Sequence, residues 1–242
     1  MTTEGHADEH GSKRRLDEYE VRARLVPAIA SVLPLVPMLL FGFGVDGKWV
    51  AAVLSAALPL VIAVLASSLA REAGRRTQAR LWGPERISPV VELLQWQSGS
   101  SKVETGKRHL IVLESTGLEL PDADAEQADP SEANGHYRVA ESELRQVAAR
   151  GDHPTLTRAL IQYGFLRNLR GLRIIWVLTS AVAVGVGVWL AVTDSRVAVG
   201  LGLAALAATY LGVLLWLISD DAVRANGDTY ARGLFEVCAR TT

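Results

Sequence analysis

One cysteine, Cys238, stands in the 242 residues, which excludes an intramolecular disulfide and suits a reducing compartment. Charge is missing in a more informative way. Leu25 to Gly44, Trp49 to Ala70, Ile174 to Thr193 and Val197 to Ile218 contain no Asp, Glu, Lys, Arg or His. Ion-coupled transporters and pumps usually carry a titratable group at membrane depth, so this absence argues against both, and against an intramembrane hydrolase. No GxxxxGK[ST], HExxH, GxSxG or cysteine pair occurs, and the chain is expected to be neither an enzyme nor the holder of a cofactor. His6 and His10 have helical spacing, but Gly5 and Gly11 oppose a helix there and no third ligand accompanies them, so no metal site is expected.

What is present is hydrophobic length. The four charge-free blocks have 20 or 22 residues, and about 1.5 Å of rise per residue matches a hydrocarbon core of roughly 30 Å. They read as transmembrane helices. The first block is followed after four residues by another, which makes it an anchor and not a cleaved signal. "VDGK" and "DSR" suffice only for tight turns, so the spans pair into two antiparallel hairpins with no ectodomain between them.

Arginine and lysine orient the hairpins. Lys13, Arg14, Arg15, Arg22 and Arg24 precede the first span, Arg71, Arg75, Arg76 and Arg80 follow the second, and Arg158, Arg167, Arg170 and Arg173 precede the third. The outer turns hold only Lys48 and Arg196. The positive-inside rule puts both termini and the middle segment in the cytoplasm. Trp49 and Trp189 then fall at the outer interface, Trp176 and Trp216 at the inner one.

The expected fold class is a mainly α membrane protein: two transmembrane hairpins (four spans) separated by a small α+β cytoplasmic segment. Its parts are an N-terminal tail (1–24), hairpin one (25–70), the cytoplasmic domain (71–173), hairpin two (174–218) and a C-terminal tail (219–242). Within the domain the pattern predicts a helix continuing from span two through "REAGRRTQARLW", a break at "GPERISP", a short helix "VVELLQW" and a β-hairpin "KRHLIVLESTGLEL". An acidic loop, a helix "YRVAESELRQVAAR" and a last helix from about Pro154 into span three complete it. Residues 114–132 hold seven acidic side chains and no basic one, the pattern of a solvated loop repelled by anionic lipid.

Three features carry functional weight. Pro34 and Pro37 fall mid-span and free backbone carbonyls, while Pro27 sits in the first turn. A kinked helix of this kind either gates a pore or packs against its neighbours. Small residues recur every four positions at Gly200, Ala204, Ala208 and Gly212 and at Ala183, Gly187 and Ala191, marking packing faces within one chain or between subunits. "YGFLRNLRGLR" (163–173) precedes span three, and its arginines serve either as a positive collar or as a ligand surface. Tyr163, Arg167, Asn168 and Arg170 suit phosphate or nucleotide recognition through forked donors and stacking. Arg75, Arg76 and Arg80 are the second candidate surface.

"LDEYEVRARLVPAIASVLPL" (16–35), "GRRTQARLW" (74–82) and "YGFLRNLRGL" (163–172), set around two hairpins, resemble the four-span membrane effectors of bacterial anti-phage defence, above all those of the Hailong type. Leu166, where a basic residue is the pattern, and the turn "GPERISP" depart from it. The resemblance implies a homo-oligomeric ion channel in the lipid bilayer of a bacterial inner (cytoplasmic) membrane, without cofactor. A nucleotidyltransferase product such as a short single-stranded DNA holds it closed, and the membrane depolarises when that ligand is lost. The alternative is a membrane scaffold or sensor that recruits a soluble partner through 71–173 and conducts nothing.

Overall fold

The computed structural model describes residues 21–42, 68–83, 87–193 and 197–241. Span two (49–70) therefore lies almost wholly outside the described residues, as do His6, His10, Trp49 and both outer turns. The chain divides into two compact units, one built from 1–77 and 164–222, the other from 78–163 and 223–242.

In the first unit a π-helical turn, Val21–Leu25, leads into α1 (Val26–Val32), which stops at Leu33 and Pro34 before α2 (Leu35–Gly42) begins. Helix α3 covers 68–82 and α8 is Pro154–Gly171, with 78–82 and 154–163 belonging to the second unit, and after a turn at Leu172 the chain continues as α9 (Arg173–Thr193) and α10 (Val197–Leu217). Helices α9 and α10 are long and apolar enough to cross a membrane, and only 28% and 22% of their apolar windows are buried. The core helix of a water-soluble protein would hide most of such a surface.

Gly187 and Gly200 let these two helices meet. A Cβ at Gly200 would lie 2.5 Å from the Ala191 nitrogen and the Gly187 oxygen, and one at Gly187 would lie 2.7 Å from the Ala204 nitrogen. The small-residue faces thus close within the chain at this level, whereas a Cβ at Gly212 would meet no atom of the described residues within 4 Å. Next to the hairpin, Ala70, Leu169, Leu172, Trp176, Leu214 and Ile218 form a core. Trp176 is fully buried there and donates through Nε1 to the Leu169 carbonyl at 3.1 Å. Trp189 and Trp216 stand out from the surface as interfacial rings do.

The second unit has no strand among its described residues, which form helices joined by short loops. It contains α4 (Pro89–Leu94), α5 (Lys102–Thr116), α6 (Ala123–Ala128) and α7 (Pro130–Ala149), with most of α11 (Asp220–Thr241). The expected β-hairpin over "KRHLIVLESTGLEL" is not there, and with it the α+β description fails: residues up to Thr116 belong to α5. Ser101 caps that helix by accepting from the Glu104 nitrogen at 3.2 Å, and Gly117 ends it at φ +74°. This Ser-x-x-Glu start and glycine stop outweigh the β-branched Ile111 and Val112, which suggest a strand when read alone.

The acidic run also has structural work. Asp122 caps α6 through the Ala125 nitrogen at 2.8 Å, and Asp129 caps α7 through the Ser131 and Glu132 nitrogens, both at 3.0 Å. Glu126 is buried and accepts from the Trp96 nitrogen (2.8 Å), the Gln97 nitrogen (3.2 Å) and the Tyr137 hydroxyl (2.6 Å). Burial and then the bond to Glu126 push the Tyr137 hydroxyl far above its ordinary range.

Residues 219–242, expected as a tail, contain α11, whose Tyr230, Leu234, Phe235 and Cys238 are buried. Burial pushes the Cys238 thiol up to about 11. A thiol with that pKa is about one part in a thousand thiolate at pH 8. Iodoacetamide should therefore alkylate Cys238 at least ~100-fold more slowly in the folded chain than in urea, measured by mass. Equal rates would place Cys238 at the surface.

Candidate functional site

The first apolar run is held by side chains reaching carbonyls that its prolines and its break release. An amide normally donates to the carbonyl four residues back, and proline has no N–H to give. Pro27 thus leaves the Ala23 carbonyl, and Asn168 Nδ2 donates to it at 2.5 Å. Pro34 leaves the Ala30 carbonyl, which accepts from the Tyr210 hydroxyl at 2.6 Å and from the Leu33 nitrogen at 3.4 Å. The interruption at Leu33 and Pro34 also takes the regular donor from Ser31, whose carbonyl accepts from Thr179 Oγ1 at 2.6 Å. Pro37 leaves the Leu33 carbonyl, and Val36 N–H reaches it at 3.1 Å as a tighter turn. Ser31 adds its own hydroxyl to the Pro27 carbonyl at 2.8 Å.

Three helices therefore contribute one side-chain donor each: α8 through Asn168, α9 through Thr179 and α10 through Tyr210. Leaving a buried carbonyl without a partner costs about 1–3 kcal/mol, so these donors help to fix where the broken segment rests. Each such bond is a single contact that can be exchanged without unwinding a helix. These three bonds latch the interrupted segment to α8, α9 and α10.

Asn168 was expected to meet a ligand. It is instead fully buried, with Oδ1 facing Gly74 on α3, where a Cβ would collide with the carboxamide, and Oδ1 has no hydrogen-bond partner. Arg167 Nε lies beside the same glycine. Gly171 one turn on packs against the Ala73 backbone, so α3 and α8 touch almost main chain to main chain. Arg170 forms a forked pair with Asp220, Nε to Oδ1 at 2.8 Å and Nη2 to Oδ2 at 3.2 Å.

Arg75 and Arg76 share Glu72, at 2.5 and 3.3 Å. The hydrogen bond and charge of Arg75, followed by those of Arg76, hold the Glu72 carboxyl below its ordinary value. Arg76 is 79% exposed. Among the predicted contacts Arg75, Arg76, Arg167, Asn168 and Arg170 fall in the first unit, Tyr163 and Arg80 in the second. Arg80 is exposed. Tyr163 is buried, its ring parallel to Tyr230 at 6.2 Å and edge-on to Trp82 at 6.1 Å, so its stacking faces are taken by the protein's own aromatics.

Thr179 and Tyr210 were not anticipated. The signal was available: counting four residues back from Pro27 and Pro34 names Ala23 and Ala30 as carbonyls in need of donors, and polar side chains are scarce enough in spans three and four to nominate theirs. No protein-family model, curated protein or solved structure matches the chain.

Proposed function

We propose that the chain is an ion-channel effector of anti-phage defence in a bacterial inner membrane. It has four spans, cytoplasmic termini and a homo-oligomeric pore governed by a cytoplasmic nucleotide or oligonucleotide. The observation that carries the reading is the proline-interrupted first segment, tied to α8, α9 and α10 by Asn168, Thr179 and Tyr210. A hinge at this break would move by trading these three bonds for others, two of them within the charge-free runs (Thr179–Ser31 and Tyr210–Ala30) and one at their arginine-flanked edge (Asn168–Ala23), and an element of that kind can gate a pore. The motif resemblance supplies the ligand class and the sign: ligand bound, pore closed.

Asn168 gives the ligand segment a mechanical role. It stands next to Arg167 and two residues from Arg170, so an anionic ligand that draws either arginine shifts the helix that holds the Ala23 carbonyl. Arg75 and Arg76, two guanidinium groups sharing the single carboxylate of Glu72, add positive charge for phosphates.

Expression of the chain alone, without a neighbouring nucleotidyltransferase, should collapse the membrane potential reported by a voltage-sensitive dye. An unchanged potential, with the protein present in the membrane fraction, would favour the non-conducting scaffold.

A further inference from the structure

Beside the break lies a cavity of about 260 Å3, walled by Leu33, Pro34, Met38, Ala183, Ala207 and Tyr210 among others. It is apolar, and the Tyr210 hydroxyl in its lining is engaged with the Ala30 carbonyl. A buried water needs two to four polar partners, and apolar cavities of even ~150 Å3 stay dry and take up hydrocarbon. Leu33 and a further lining residue, Leu206, are 46% and 56% exposed, so the cavity wall continues onto the outward apolar surface of the span. In a bilayer that surface faces acyl chains, and no aqueous route is needed to reach the space.

We infer that this cavity is a binding site for one lipid or fatty-acid hydrocarbon chain, entered sideways from the bilayer and seated against the hinge at Pro34. The inference rests on the membrane-spanning reading but not on conduction. The occupant touches the Tyr210 ring, whose hydroxyl is one of the three latch donors, so chain length and unsaturation are variables to which the hinge responds.

The test uses palmitate carrying a photoactivatable diazirine, added to the full-length chain in alkaline-washed membranes, with labelled peptides mapped by mass spectrometry. Label should concentrate on residues 33–38 and 203–210, and excess unlabelled oleate should reduce it. Ala207→Trp, which fills the space, should lower that labelling at least five-fold and leave labelling around the outward-facing Trp189 unchanged. Ala183→Phe, from the facing helix, should do the same. Label spread evenly over the exposed apolar surface, insensitive to oleate and to both substitutions, would overturn the proposal. Absence of the protein from washed membranes would overturn the membrane reading itself, before any probe is added.

Discussion

Replacing Gly200 by valine should separate α9 from α10, while the same change at Gly212, on the same helix, should leave the hairpin intact. At Gly200 the new Cβ would meet main-chain atoms of Ala191 and Gly187 at 2.5 Å, and backbone cannot rotate out of the way as a side chain can. Overpacking a core typically costs about 1–3 kcal/mol, and an obstacle made of two helix backbones puts this case at or above ~3 kcal/mol. At Gly212 no atom of the described residues lies within 4 Å of the added atom. An exposed change of that sort is worth about ±0.5 kcal/mol. Unfolding in mixed micelles with increasing denaturing detergent measures both. A loss at Gly212 as large as at Gly200 would show that this outer face is covered, by a segment outside the described residues or by another copy of the chain.

Asn168→Ala should be the second large effect, and Pro27→Ala should repair it. Removing the carboxamide takes the Nδ2 donor from the Ala23 carbonyl, where Ala23 itself is fully buried. Loss of a partner to a buried polar group costs about 1–3 kcal/mol. Pro27→Ala restores an N–H four residues after Ala23, and the carbonyl regains a donor from its own helix. Proline-to-alanine changes alone act weakly here, because the native donor is already in place. The double variant should therefore recover most of the unfolding free energy that Asn168→Ala loses. Additive losses in the double variant would mean that Asn168 stabilises the protein by some route other than the Ala23 carbonyl.

Helix α9 and helix α10 were legible because twenty uncharged residues admit few other structures, and their bounds in the chain differ from the expected spans by a residue. The break at Pro34 was legible for a similarly local reason: proline forbids a specific bond. Helix α5 was misread because "HLIVLE" has strand-like side chains, and its identity is decided at its ends, by Ser101 and Gly117. Less accessible still was the burial of Glu126, since one carboxylate among seven looks like the rest until Trp96, Gln97 and Tyr137 converge on it. The segment 163–173 shows the limit most clearly. Residue type and spacing marked Asn168 and Arg170 as special, but a carboxamide that can grip a phosphate can equally grip a carbonyl, and Arg170 finds its carboxylate fifty residues away at Asp220.

The most direct test of the latched hinge is electrical. The unsubstituted chain, Asn168→Ala and Asn168→Ala/Pro27→Ala should be purified and reconstituted in voltage-clamped planar bilayers, and the open fraction of each compared. The expected result is a measurable conductance in all three, an open fraction raised several-fold by Asn168→Ala, and its return to the original value when Pro27→Ala is added. Identical open fractions in the three proteins, or bilayers that stay silent with well-inserted protein, would contradict a gate built on the Ala23 carbonyl.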